Sequence, residues 1–249
     1  MRFCRYKIND TDQPIEGVFN DDTVSPIATA GVPIPVGEVK FLPPVTPSKI
    51  VCVGRNYAEH AKELGNEVPT EPLLFLKAPS SLGVDGDPIV IPPLSEQVEH
   101  EGELAVVIGK TAKNIRDDEN PLDYVYGYAC LNDVTARDLQ RKDVQFTRAK
   151  SFDTFCQVGK FVETELDAAD IRVVTRVNGE VKQDSRTSQM VFPVDFLVRY
   201  ISQQMTLNPG DVIATGTPSG VSKMVDGDVC EVEIEGIGVL TNTVINGER

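Results

Sequence analysis

Residues 100–109 read HEGELAVVIG, with two glutamates two positions apart at the head of an otherwise apolar run. In an extended strand, alternate side chains share a face. Glu101, Glu103, Ala105 and Val107 therefore fall on one side, and Gly102, Leu104, Val106 and Ile108 on the other. A solvated face would stay polar, but the glutamate face turns apolar straight after Glu103. Either the strand end protrudes into water with both carboxylates solvated, or both carboxylates enter a cavity. In a cavity two like charges need a shared proton or a cation, and a hard divalent ion is the usual partner of oxygen ligands.

Around this stretch the β signals dominate. Strands are predicted at 49–53, 73–78, 87–92, 103–110, 125–134, 172–177, 180–185, 211–217, 228–236 and 238–245, and the Asn178-Gly179 pair predicts a two-residue hairpin. Three segments carry helical spacing. The first spans 56–64, with Asn56 as N-cap and Gly65 as the stop. The second is short, near Arg137–Asp143, and the third covers 192–204 with Phe192, Phe196, Leu197, Tyr200 and Ile201 on one face. Pro193 is tolerated in the first turn. Without regular βαβ alternation, a doubly wound sheet or a TIM barrel is disfavoured. The predicted class is α+β and β-rich, a mixed β-sandwich roll.

Residues 1–45 are expected to form a small N-terminal β domain with strands at 2–8 and 16–24. The Pro/Gly-rich segment 32–49 reads as an extended linker, and the main body is expected over 46–249. The chain has 249 residues, a net charge of −14 and 41% hydrophobic residues, which suits a globular protein with a substantial core. The acidic balance and the lack of a Lys/Arg cluster argue against nucleic acid as a partner. Five scattered cysteines without a CxxC pair point to a reducing compartment. The N-terminus lacks a signal-peptide core, and no apolar run reaches membrane-spanning length, so a cytoplasmic protein without a membrane partner is expected.

Several residues carry chemistry, each with a plainer alternative. Asp133 ends the apolar run YACLND, as a third carboxylate or as a cap for TARDLQ. His60 and Glu63 lie three apart, as an exposed helical pair or as a dyad in which the carboxylate makes the imidazole a better base. The flanking Gly54 and Gly65 would let that helix hinge as a lid. Lys150 is either a surface lysine or, near a metal, a stabiliser of a developing enolate. Arg137 and Gln140 serve either a substrate or the fold. The loop GTPSGV, 216–221, is a turn or an anion-holding loop through its N–H groups and the Thr217 hydroxyl.

Taken together, VGRNYAEHAKELG (53–65), PLLFLKAPSSL (72–82), HEGELAVVIGK (100–110), YACLNDVTARDLQ (128–140), RAKSFDTF (148–155), NGEVKQDSRTSQMVF (178–192) and PGDVIATGTPSGV (209–221) resemble the fumarylacetoacetate hydrolase family. The resemblance implies a mixed β-sandwich roll, a homodimer, and Mg2+ (or Mn2+ or Ca2+) held by Glu101, Glu103 and Asp133. It implies Lys150, His60 and Glu63 as catalytic residues and Arg137, Gln140 and Thr217 as substrate contacts. The short N-terminal part and the three matching carboxylates point to the short branch of the family. The implied reaction is C–C hydrolysis of a 2,4-dioxo acid of the acylpyruvate type, passing through an enolate. Oxaloacetate decarboxylation or tautomerisation, or hydroxyhepta-dienedioate isomerisation, is the alternative at the same site. A non-catalytic 2-oxo-acid-binding protein is the third reading.

Overall fold

The computed structural model describes residues 1–10, 12–28 and 31–248. The N-terminal strands are β1 (Arg2–Lys7), β2 (Ile15–Asn20), β3 (Thr23–Pro26), β4 (Ile34–Pro35) and β5 (Lys40–Leu42). They are followed by β6 (Ile50–Gly54), α1 (Ala58–Glu63), β7 (Leu73–Lys77), β8 (Leu82–Val84), β9 (Ile89–Ile91), β10 (Val98–Glu99), β11 (Gly102–Ile108), β12 (Val125–Asp133) and β13 (Thr135–Ala136). Then come α2 (Arg137–Lys142), α3 (Thr147–Lys150), β14 (Cys156–Val158), β15 (Phe161–Glu163), β16 (Arg172–Val177) and β17 (Glu180–Arg186). The last elements are α4 (Val194–Gln204), β18 (Val212–Ala214), β19 (Val229–Ile234) and β20 (Gly238–Asn246).

These strands form a mixed, two-layered β structure of the α+β class. The larger sheet runs β4-β3-β2-β1-β15-β12-β11-β18-β6-β7, with β5 on β1, β14 on β12 and β8 on β14. A second sheet runs β17-β16-β19-β20-β9, and β10 pairs with β13 as a separate two-stranded ladder. Most neighbours are antiparallel, while β6–β18, β8–β14 and β9–β20 are parallel. Leu104, Val106 and Ile108 of β11 point between the layers and join Cys130, Val173, Val232, Ile234 and Leu240 in the main core. Each leucine- or valine-sized side chain buried there contributes roughly 1.5–3 kcal/mol. The opposite face of β11 is also covered, by Ala105 among Ala129, Leu131, Val212 and Ala214. A strand buried on both faces reads as a continuous apolar run, which explains ELAVVI.

At Gly102, between the two glutamates, the two layers pack in close contact. A Cβ there would lie 2.0 Å from Thr175 Oγ1 on β16. The glycine lets β11 cross against the second sheet and leaves both glutamates on the far side of the strand.

Several local expectations are corrected. Segment 16–24 is a β2–β3 hairpin, turned at Asp21 with φ 48°. The Pro/Gly-rich stretch contains β4 and β5, and β5 pairs with β1 instead of hanging free. Within the first 45 residues, β1 also pairs with β15 of the main body, Phe3 opposite Val162. Asn56 does not cap α1, whose N-cap is Tyr57. Its amide donates instead to Phe192 O at 3.0 Å and Thr215 O at 2.7 Å, and its carbonyl accepts from Phe192 N at 2.8 Å. On α4 the buried stripe is Val194, Leu197, Val198 and Ile201; Phe192, Phe196 and Tyr200 stack one on the next along its margin, with Phe196 exposed. Asn178 (φ 53°) and Gly179 (φ 78°) turn the β16–β17 hairpin as the sequence predicts. All five cysteines are free and buried.

Candidate active site

The carboxylate face of β11 opens onto a cavity of about 280 Å³, at the lower end of the range for small-molecule sites, about 300 Å³. Glu101 precedes β11 and Glu103 lies within it, while Asp133 closes β12, whose Leu131 pairs with Glu103. The three carboxylates are buried and offer oxygens that all lie within 4.8 Å of one another. His60, Arg137, Gln140, Lys150 and Thr217 line the same cavity, and Glu63 stands behind His60. The sequence-predicted residues are thus brought together from β11, β12, α1, α2, α3 and the loop after β18.

Buried cations pack against the triad but do not fully neutralise it. Lys150 Nζ donates to Glu101 Oε2 at 2.6 Å and to Asp133 Oδ2 at 2.8 Å. Arg137 donates to Glu99 at 2.8 Å, to Gln140 at 2.5 Å and to Glu101. Lys77, which the sequence reading passed over as the end of an apolar strand, is fully buried. It pairs with Asp133 and donates to Val134 O at 3.1 Å. Glu99, Glu101, Glu103 and Asp133 therefore face Lys77, Arg137 and Lys150, which leaves one carboxylate without a matching cation.

Glu103 carries that excess. Among the described residues it accepts only the Gly216 N–H, at 2.8 Å. Burial, then the charges of Asp133 and Glu101, push its pKa well above the usual carboxylate range. Glu101 behaves oppositely. Burial works to raise it, but Lys150 and Arg137 together outweigh that and hold it below the usual range. Oxygen donors of this kind suit a hard divalent cation, and such a cation would supply the positive charge Glu103 lacks. The donor set therefore fits a divalent metal.

Thr217 and His100, the residue before Glu101, have partners of their own. The Thr217 hydroxyl donates to Gly102 O at 2.9 Å and accepts from Gln183 Nε2 at 2.7 Å, so its proton is spent inside the fold. His100 lies away from the cavity; its ring contacts Gln183 Oε1 at 3.2 Å and Ser222 Oγ at 2.9 Å, and burial lowers its pKa. His60 is almost fully buried, and its Nδ1 lies 3.2 Å from Glu63 Oε2. The second oxygen of Glu63 accepts the Gly220 N–H at 2.9 Å, tying α1 to the 216–220 loop.

A mixed β-roll that converges three buried carboxylates, a buried lysine and a helix-borne histidine on one small cavity defines an enzyme with a small-molecule active site. The chain belongs to the fumarylacetoacetate hydrolase family, since the fumarylacetoacetate (FAA) hydrolase C-terminal model matches residues 49–245. It is 44% identical over 232 residues to the mitochondrial oxaloacetate tautomerase FAHD2A of Bos taurus, covering 88% of this chain and 74% of that protein. The structure of 5-carboxymethyl-2-hydroxymuconate delta-isomerase from Mycobacterium smegmatis matches with TM-score 0.91 and 41% identity over the whole of both chains. Fumarylpyruvate hydrolase from Pseudomonas aeruginosa, in complex with Mn2+ and pyruvate, matches with TM-score 0.76 and 29% identity over 84% of this chain and 92% of that one. No helix among the described residues is long and apolar enough to cross a membrane.

Proposed function

We propose that the chain is a divalent-metal-dependent hydrolase that cleaves a C–C bond in a 2,4-dioxo acid of the acylpyruvate type. The observation that carries this reading is His60, backed by Glu63 at 3.2 Å and lining the same cavity as the three carboxylates. A base beside a cation site is what water activation requires. The Mn2+ and pyruvate bound by the fumarylpyruvate hydrolase relative supports the metal and the 2-oxo acid.

Glu101, Glu103 and Asp133 would hold the cation, Mg2+ or Mn2+, which when bound polarises the 2-oxo carbonyl as a Lewis acid and neutralises the adjacent carboxylate. Glu63 keeps the His60 Nδ1 proton in place, so Nε2 is the free base. His60 Nε2 takes a proton from water, and that water attacks the distal acyl carbonyl. The C–C bond then breaks, and its electron pair passes to the pyruvyl fragment as an enolate. Lys150 has three N–H donors and spends two on Glu101 and Asp133. The third serves the enolate oxygen. Helix α1, held to Gly220 through Glu63, acts as the lid that limits bulk water.

A second reading is tautomerisation or isomerisation of an oxo-dicarboxylic acid, which the oxaloacetate tautomerase and delta-isomerase relatives favour. Decarboxylation of oxaloacetate would use the same enolate. These need a proton shuttle but no water attack. Product NMR with acetylpyruvate, fumarylpyruvate and oxaloacetate, each with Mn2+ and with EDTA, separates them. Metal-dependent release of pyruvate plus the acyl acid supports hydrolysis. Enol–keto conversion alone replaces it with tautomerisation, and turnover unaffected by EDTA removes the metal from the reading.

A further inference from the structure

Arg55 and Arg141 line the cavity, and neither pairs with a carboxylate among the described residues. This is unusual in a chain with 38 acidic and 24 basic residues. Arg2, Arg116, Arg148, Arg172, Arg176 and Arg186 each pair with an acid on the surface. Arg5 and Arg199 lack an acid too, but both donate to neutral oxygens at 2.7 and 2.6 Å. Arg141 makes one bond, to Gln97 Oε1 at 3.1 Å, and Arg55 makes none among the described residues.

Depth separates these arginines from the buried charges. Glu101, Glu103, Asp133, Arg137 and Lys150 form the closed floor, whereas Arg55 is half-buried and Arg141 exposed. The cavity thus has an acidic floor and a basic mouth. Arg55 is also held in an uncommon conformation, with φ 58°. Such strain persists only where neighbours over-determine it, and it collects at functional sites. Here the next residue, Asn56, is clamped between Phe192 and Thr215.

We propose that Arg55 and Arg141 form a subsite for a second carboxylate, so that the enzyme selects dicarboxylic 2-oxo acids. The inference rests on the reading of the floor triad as a cation site for the 2-oxo acid end. The substrate's far carboxylate then meets guanidinium groups, whose planar N–H pairs match a carboxylate.

The test compares two non-hydrolysable ligands of equal chain length, 2-oxoglutarate and 2-oxopentanoate, by calorimetric titration into the Mn2+-loaded protein. They differ only in the far carboxylate. The wild type is expected to bind 2-oxoglutarate about tenfold more tightly, a size set by charge-assisted bonds at a partly wet rim. Arg55→Asn, chosen because Asn tolerates positive φ, and Arg141→Gln each shrink that preference. Together they bring it to about twofold or less, while Arg55→Lys retains part of it. Equal wild-type affinity for the two ligands overturns the subsite and leaves the floor reading intact. A preference that survives in the double variant overturns the assignment to these arginines. Binding of neither ligand overturns the subsite together with the floor reading.

Discussion

Lys77 and Asp133 meet in the cavity floor as an ion pair closed to water on both sides, with 0% and 1% of the side chains exposed. Lys77 also donates to the Val134 carbonyl, and Lys150 takes the other oxygen of Asp133 at 2.8 Å. The carboxylate is therefore held along both edges, and its direction is set before any ligand arrives. Removing Lys77 leaves Asp133 to share Lys150 with Glu101, so the buried floor becomes short of a second cation. Lys77→Met, which keeps most of the volume, is expected to destabilise the protein by about 3–5 kcal/mol. Urea denaturation measures it, and a loss below about 1 kcal/mol would show that the pair behaves like a surface one.

The site was legible in the sequence to the extent that its residues announced themselves locally. Glu101 and Glu103 stood out because a two-residue period turned from acid to apolar within one strand. Asp133 did so because it closes an apolar run. Lys77 closes an apolar run as well, LLFLK, but its partner is 56 residues away. Which strands become neighbours is set by a sheet order in which β7 joins β6 and β12 lies three strands further on. No local pattern encodes that. Asn56 was misread because a side-chain amide can satisfy a helix start or distant carbonyls, and here the tertiary partners won. The β2–β3 turn was readable in Asn20-Asp21-Asp22, a polar, turn-forming run inside the supposed strand. The positive φ of Arg55 had no signal in the chain, since arginine carries no preference for it.

Glu103, as a proposed cation ligand, couples proton binding to stability. Its folded pKa lies above the unfolded value of 4.5. Its contribution is thus fully present below 4.5 and is lost as pH rises through the folded value. Glu101, depressed by Lys150 and Arg137, contributes above 4.5 and loses that only as pH falls. In EDTA the melting temperature is therefore expected to decline as pH is raised from just above 4.5. Added Mn2+ should raise it, and by more at higher pH, because the cation replaces the Glu103 proton. Glu103→Gln mimics the protonated form and still accepts the Gly216 N–H. Its metal-free melting temperature should lose this decline, and its response to Mn2+ should largely vanish. A Mn2+ response equal to that of the wild type would remove Glu103 from the ligand set.

Gly220 tests the lid anchor. Its φ is 103°, and a Cβ there would sit 1.9 Å from the Lys182 carbonyl, so Gly220→Ala must move the loop off β17. The loop carries the N–H that Glu63 accepts. The substitution should cost about 1–3 kcal/mol in stability and release α1. Faster amide exchange in residues 58–65 is the direct readout, alongside a raised KM. Unchanged exchange there would mean that α1 is held by its own packing.

Glu63→Gln separates the anchor from the orientation of His60. The glutamine oxygen can still accept the Gly220 N–H, so the helix stays docked. Its amide nitrogen is then left facing His60 Nδ1, and it can only donate. The imidazole must answer by moving its proton to Nε2, the nitrogen left to serve the cavity. A ring protonated there cannot take a proton from water. The same inversion of tautomer by an acid-to-amide change costs about 10⁴-fold in serine proteases. Glu63 is one-third exposed, and water can compete for Nδ1, so a smaller fall of roughly 10²-fold in kcat is expected, with stability and Mn2+ binding close to wild type. Glu63→Ala loses the anchor but imposes no wrong tautomer. It should raise KM more and lower kcat less than the glutamine variant. If both variants lower kcat equally with no difference in KM, the carboxylate acts only as a tether. If neither lowers the hydrolytic rate, His60 is not the base.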